Sequence, residues 1–218
     1  MEQNPFAPKF KDLPQSLPVF PLRSAFLLPT GQLPLNIFEP RYVQMVEDAL
    51  SSNRMIGMIQ PADDADTPKL SKTGCAGKIT EFNEVGDGRF LITLSGVYRF
   101  DVIEELESTR LYRMVQPDWA PYENDASEDR CIDINRDKLK SLLKNYFKQQ
   151  SMECDWSAFD GTPDGHLITC LSMVCPLEST EKQALLEAPC CKTRANLFMG
   201  MLEMAVKSDG ASASSHRH

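Results

Sequence analysis

LPLNIFEPRYVQMVEDAL, Leu33 to Leu50, passes from a strand pattern to a helix pattern, and that change decides how the rest of the chain is read. Leu33, Leu35 and Ile37 alternate with Pro34, Asn36 and Phe38, as in a short edge strand where a proline is tolerated. Pro40 fits the first turn of a helix, where its missing N–H costs nothing, and Glu39 beside it complements the positive helix end. From there Tyr42, Val43, Met45, Val46, Ala49 and Leu50 share one face at helical spacing, with Gln44, Glu47, Asp48 and Ser51 opposite. The stretch predicts one amphipathic helix packed on a sheet.

Working outward, the flanks read as strands. Leu17 to Leu22, LPVFPL, is a short apolar run broken by prolines and predicts an edge strand, with Phe26 to Gly31 as a loop. Arg54 to Gln60, RMIGMIQ, is a second apolar run. Asp63, Asp64 and Asp66 then form a polar loop that lacks the spacing and closing glutamate of an EF-hand. Lys78 to Val85 and Arg89 to Ser95 flank Gly86-Asp87-Gly88 as a hairpin, with Phe90, Ile92 and Leu94 alternating against Arg89, Thr93 and Ser95. Gly96 interrupts the alternation and predicts a bulge or bend, after which Tyr98, Phe100 and Val102 carry the apolar face. Leu111 to Trp119 adds a further strand. Many short strands around one helix favour a mostly antiparallel β-domain.

Composition shifts at Ala120 to Arg130, APYENDASEDR, an acidic stretch that reads as a hinge or linker. Beyond it the spacing is helical. Ile132, Leu139, Leu142, Leu143, Tyr146 and Phe147 predict one helix, Leu167, Ile168, Leu171 and Val174 a second, and Ala184, Leu185 and Ala188 a third. Ala195, Phe198, Met201, Leu202 and Ala205 predict a fourth. A capping box is expected at the third helix, at Thr180-x-x-Gln183 or starting from Glu178 or Ser179. The expected organisation is an extension (1–16), a β-rich domain (17–120), a helical bundle (121–207) and a disordered tail (208–218). The fold class is α+β, a twisted antiparallel, barrel-like domain with one inserted helix followed by a bundle.

A net charge of −8 argues against a sequence-independent hold on nucleic-acid phosphates or anionic lipid, since both need clustered Lys and Arg. No run approaches the roughly 18 apolar residues of a membrane span, and the N-terminal segment lacks a signal-peptide apolar region. Seven cysteines, an odd number without any C-x-x-C, read as reduced and mostly buried thiols. A cytoplasmic protein is the expectation.

Catalytic patterns are sparse. Gly74-Cys75-Ala76-Gly77-Lys78-Ile79 has too few residues between its glycines for a phosphate loop and no Ser or Thr after the lysine. His166 and Cys170, four residues apart, can share a helix face, but no orienting third group is evident, and with Cys175 or Cys154 they do not match a zinc spacing. A core cysteine beside a helix-start histidine is the simpler reading, and no catalytic residue, metal site or cofactor is assigned. The candidates for partner binding, or for fixing the strand-to-helix turn, are Glu39, Arg41, Tyr42, Met45, Met199 and Met201. The thioethers suit promiscuous apolar surfaces but more often fill a core. Strand addition at an exposed sheet edge is the other mode of capture considered.

Three stretches together carry a resemblance: LPVFPLRSAFLLPTGQLPLNIFEPRY (17 to 42), DGRFLITLSGVYRFDVIEEL (87 to 106) and PLESTEKQALLEAP (176 to 189). In this order the chain resembles the Lon substrate-binding domain, the PUA-like N-terminal domain of the ATP-dependent Lon protease, and IFEPRY resembles its free-standing versions. Cys190-Cys191-Lys192 and the long first bundle helix depart from that pattern. The resemblance implies a PUA-like barrel with an inserted helix, then helices, and a non-enzymatic role in binding unfolded or degron-bearing polypeptide, as an adaptor or chaperone-like factor connected with a protease. Neither the ATPase nor the proteolytic module of a full Lon protease is expected in a chain of this length. The alternatives are an RNA-binding PUA-like protein and a small hydrolase using His166 and Cys170.

Overall fold

In the computed structural model, which describes residues 8–23, 25–65, 67–126 and 134–214, the first half is built of strands and the second of helices. The strands are β1 (Leu17–Pro21), β2 (Gln32–Ile37), β3 (Met55–Ile59), β4 (Thr73–Val85), β5 (Arg89–Leu106) and β6 (Arg113–Asp118), with α1 (Pro40–Leu50) between β2 and β3. A 3-10 helix, Ala120–Ala126, leads to α2 (Arg136–Gln149), α3 (Trp156–Gly161), α4 (Asp164–Val174), α5 (Ser179–Glu187) and α6 (Cys191–Ser214).

The sheet runs β2-β5-β4-β3-β1-β6, and β6 pairs again with β5, so five of the strands close into a barrel while β2 lies outside the ring. Closure is possible because β5 is long and changes partner along one edge: residues 90–95 pair with β2 and residues 101–106 with β6. Register shifts at Ala76/Gly77, Ile79/Glu81 and Val102/Glu104 supply the bending. Gly96 lies at the first of these, where a Cβ would stand 2.0 Å from the Leu28 carbonyl oxygen, so the loop Phe26–Leu28 closes directly on the strand.

Two apolar clusters explain the burial. Leu17, Val19, Met55, Ile59, Ala76, Phe100 and Val115 fill the barrel interior. Phe100 is fully buried there, contributing about 1.5–3 kcal/mol, and it leaves no room for a Cβ on Gly57 or Gly74, which would come within 2.9 and 2.6 Å of its ring. Ile56 and Met58 point the other way, into a larger cluster that also holds Tyr42, Met45 and Val46 of α1 and Leu143, Ile168, Leu185 and Phe198 of the helices. Thus β3 is buried on both faces, which is why RMIGMIQ reads as an unbroken apolar run. Strands and helices share this larger core.

Several expectations are corrected by the pairing. β1 is not an edge strand: it pairs with β3 through Val19–Pro21 and with β6 through Leu17–Val19. The two partners overlap only at Val19, so Pro18 and Pro21 each face one neighbour, and the missing N–H groups are tolerated. The β1–β3 pair is parallel within an otherwise antiparallel sheet, because β2 and α1 intervene and carry the chain back to the starting end. The acidic stretch after Trp119, expected as a hinge or linker, is a 3-10 helix docked on the barrel where it is described. Asp125 is buried against Arg99 of β5, whose guanidinium donates to it at 2.6–3.2 Å, stacks on Tyr122 at 4.5 Å and donates to the carbonyls of Leu186 (3.0 Å) and Ala188 (2.7 Å). That one arginine ties the barrel, the 3-10 helix and the end of α5 together.

Among the helices, α3 has no counterpart in the apolar spacing, and Val174 of α4 is exposed. The capping box of α5 is Glu178 with Glu181, the latter accepting from the Glu178 N–H at 2.9 Å. α6 continues to Ser214, into the stretch from 208 expected as a tail. Ile132, Asp66 and residues 1–7 lie outside the described residues.

Candidate functional site

A groove of about 420 Å³ lies at the open end of the sheet, where β2, β5 and β4 run side by side. Pairing arranges its lining as three rungs: Pro34–Thr93–Glu81, Leu35–Ile92–Phe82 and Asn36–Leu91–Asn83. By strand alternation the first and third rungs face one side and the middle rung the other. The middle rung belongs to the core: Ile92 is buried, Leu35 is half-buried, and Phe82 packs its ring 5.0 Å from Phe90 while keeping 42% of its surface exposed. On the outer side Leu91 is 44% exposed between the amides of Asn36 and Asn83, and Phe38, two residues beyond Asn36, is 64% exposed.

The chemistry of this surface is that of binding. Leu91 and Phe38 offer apolar area on this face, and the two asparagines offer amide donors and acceptors. The one carboxylate, Glu81, accepts from the Thr93 hydroxyl at 2.7 Å. The outer edge of β2 is open, since β5 is its one partner among the described strands. The Gly96 N–H donates to the Gly31 carbonyl at 2.8 Å, so the alternation of the ladder turns Leu33, Leu35 and Ile37 toward β5 and leaves Pro34 facing the open edge. A proline there removes a donor from that edge and blunts the addition of another strand.

The residues of IFEPRY fix the turn beside this groove. Glu39 is the N-cap residue of α1 and Pro40 its first residue, but the Glu39 side chain makes no capping bond and instead receives Arg41 Nη2 at 2.7 Å. Arg41 also lies 4.6 Å over the Tyr42 ring, and Tyr42 stacks on Phe20 at 4.1 Å in the core. Burial, opposed by the charge of Arg41 and aided by that of Glu39, pushes the Tyr42 hydroxyl above its usual range. Met45 is fully buried and packs α1 on the sheet, whereas Met199 and Met201 are half-buried on α6.

His166 and Cys170 do meet, Nε2 to Sγ at 3.4 Å, on the surface of α4. Burial pushes the Cys170 thiol up, the reverse of what an activated nucleophile requires, and neither residue lines the groove. Cys175 is pushed up further, to about 12, chiefly by burial. Among the described residues no group of three or more His, Cys, Asp or Glu side chains is placed to hold a metal ion. The Gly74–Lys78 segment is the interior of β4, its glycines serving the close approach of Phe100 and Leu27.

The groove residues missed in the sequence did leave a signal. Leu91 is the apolar residue that breaks the inward-outward alternation of the hairpin, and Phe38 does the same at the end of β2. Each is an outward position occupied by a large apolar side chain.

The model of the ATP-dependent protease La (LON) substrate-binding domain matches residues 16–204. The chain belongs to the LON substrate-binding domain family. Lon protease 2 of Myxococcus xanthus is 25% identical over 197 residues, which cover 88% of this chain and 24% of that protein. The Lon protease of Dictyoglomus thermophilum is 27% identical over 194 residues, again 24% of its length, so the chain spans about a quarter of such relatives. The crystal structure of a Lon N-terminal domain protein from Xanthomonas campestris superposes with a TM-score of 0.58 at 21% identity, covering 85% of this chain and 97% of that one. The N-terminal domain of Mycobacterium avium complex Lon protease gives 0.61 at 16% identity, covering 88% and 98%. These likenesses show a LON N-terminal fold: a mixed sheet closed into a ring, followed by helices. No described helix is long and apolar enough to cross a membrane.

Proposed function

We propose that this LON substrate-binding domain captures unfolded or degron-bearing polypeptide segments in the groove of β2, β5 and β4, without catalysing a reaction on them, as a cytoplasmic adaptor or chaperone-like factor linked to ATP-dependent proteolysis. The observation that carries the reading is the outward-facing pair Phe38 and Leu91 interleaved with Asn36 and Asn83. An unfolded segment presents apolar side chains at alternate positions and unpaired backbone amides between them, and the rungs match both features. Pro34 at the open edge favours side-chain capture on the sheet face over strand addition. Family membership supports a polypeptide rather than a small molecule as the ligand, and the net charge of −8 supports it over RNA.

The test is a peptide array and pull-down run beside a salt-titrated RNA shift. Peptides rich in Leu, Phe and Val are expected to bind, with little dependence on salt. Peptide binding undetectable at high micromolar concentration together with salt-sensitive RNA binding would refute the proposal.

A further inference from the structure

A second depression, of about 410 Å³, lies where α2 ends and the chain turns toward α3, within the roughly 300–1,000 Å³ of ligand clefts. Lys144, Phe147 and Lys148 line it from one face of α2, and Met152, Cys154 and Trp156 close it from the following segment. The turn is rigidly made: Ser151 adopts a positive φ of 53° and the Met152 N–H donates to the Phe147 carbonyl at 2.8 Å. The floor is therefore apolar and aromatic. Cys154 joins it as a neutral thiol, pushed up first by burial and then by the charge of Asp155.

The cations distinguish this cavity from the rest of the helix. On α2 Lys138 pairs with Glu203 at 2.7 Å and Lys140 with Asp160 at 2.8 Å, whereas Lys144 and Lys148 form no ion pair with a described residue. Lys148, in the last turn, answers the carbonyl end of α2. Lys144 is held 5.5 Å over the Trp156 ring, at the boundary of the apolar floor, and is the cation left to a ligand. In a chain of net charge −8, an unmatched ammonium over an aromatic floor is a site for a group that is anionic and apolar at once.

We infer that this cavity takes the C-terminal residue of a bound polypeptide, its apolar side chain against Phe147, Met152 and Trp156 and its α-carboxylate at Lys144. The inference rests on the polypeptide-binding reading, because a chain end is where a polypeptide carries a carboxylate and a side chain on one residue. Glu153 also lines the cavity and is exposed, so solvent and salt screen its charge from the ligand's carboxylate.

The experiment compares one short labelled peptide ending in leucine, as free acid and as C-terminal amide, by fluorescence anisotropy against the full chain and its Lys144→Gln variant. Lys144 is exposed, and circular dichroism checks that the variant keeps its fold. The acid is expected to bind about threefold more tightly than the amide, the size of one charge contact at an exposed lysine. K144Q is expected to bring the acid down to the amide without moving the amide. Equal binding of acid and amide, or an acid preference that survives in K144Q, overturns this site and leaves the groove reading intact. Binding of neither peptide overturns both. N-acetyl-leucine competing as tightly as the peptide assigns the cavity to small carboxylic acids and overturns the assignment to chain ends.

Discussion

Replacing Asp125 with alanine strips the carboxylate from a guanidinium that has almost no access to water. The Arg99 and Asp125 side chains are 6% and 8% exposed, so solvent screening gives little relief. Arg99 would lose its contacts to both carboxylate oxygens, and its backbone N–H would lose the 2.9 Å acceptor Asp125 Oδ2. The carbonyls of Leu186 and Ala188 remain, but they do not neutralise the charge. Breaking one side of a buried pair costs about 3–5 kcal/mol, a large fraction of the roughly 5–15 kcal/mol that holds a domain folded. Urea unfolding measures it, with Trp119 beside the 3-10 helix and Trp156 in the helical half as separate fluorescent probes. Both probes should shift together, because Arg99 joins the two halves. A double-mutant cycle with Arg99→Met should give a coupling of at least about 2 kcal/mol. A loss below about 1 kcal/mol in D125A would refute the reasoning.

Three further outcomes follow from the geometry. Gly96→Ala is expected to destabilise by about 2 kcal/mol or more in chemical denaturation, since the new Cβ would meet the Leu28 carbonyl oxygen at 2.0 Å, while Gly86→Ala, with nothing within 4 Å, should change little. Burial pushes the Asp101 carboxyl up, but hydrogen bonds from Thr73, Lys72 and Tyr122 outweigh it and hold the group below the usual carboxylate range. A carboxyl lowered on folding stabilises above its unfolded value of about 3.9 and loses that contribution as the pH falls through it toward the folded value. Asp101→Asn should therefore flatten the acid limb of a pH–stability curve below about pH 4. Arg41→Ala removes an ion pair whose partners are 53% and 45% exposed, so a drop in melting temperature equivalent to less than about 1 kcal/mol is expected, with peptide affinity retained. Lost affinity at unchanged stability would make Arg41 a partner contact instead.

Local patterns carried much of the fold. The Pro40 helix, the β4–β5 hairpin and the Gly96 irregularity are all written within a few residues of where they act, as period, turn glycines and a helix-start proline. Features that depend on distant partners were not legible. β1 looks like an edge strand because its interior position is created by Arg113–Val115, far along the chain. Asp125 looks like one acid in a hinge or linker because its partner is an arginine that faces away from the barrel and is covered by elements arriving later. A buried ion pair has no period in sequence. The groove lay between these cases: Leu91 and Phe38 were visible as apolar residues in outward register, but only the pairing of β2, β5 and β4 brings them to one surface.

Capture of unfolded polypeptide by the sheet-face groove is tested most directly by the affinity of a permanently unfolded, reduced and alkylated polypeptide for the chain and for its Leu91→Asp variant. Leu91 is 44% exposed, so the unfolding midpoint should stay close to that of the parent. The account predicts at least about tenfold weaker binding in L91D, from the loss of one apolar contact and the desolvation of a new charge. Unchanged affinity in a folded L91D protein would contradict it.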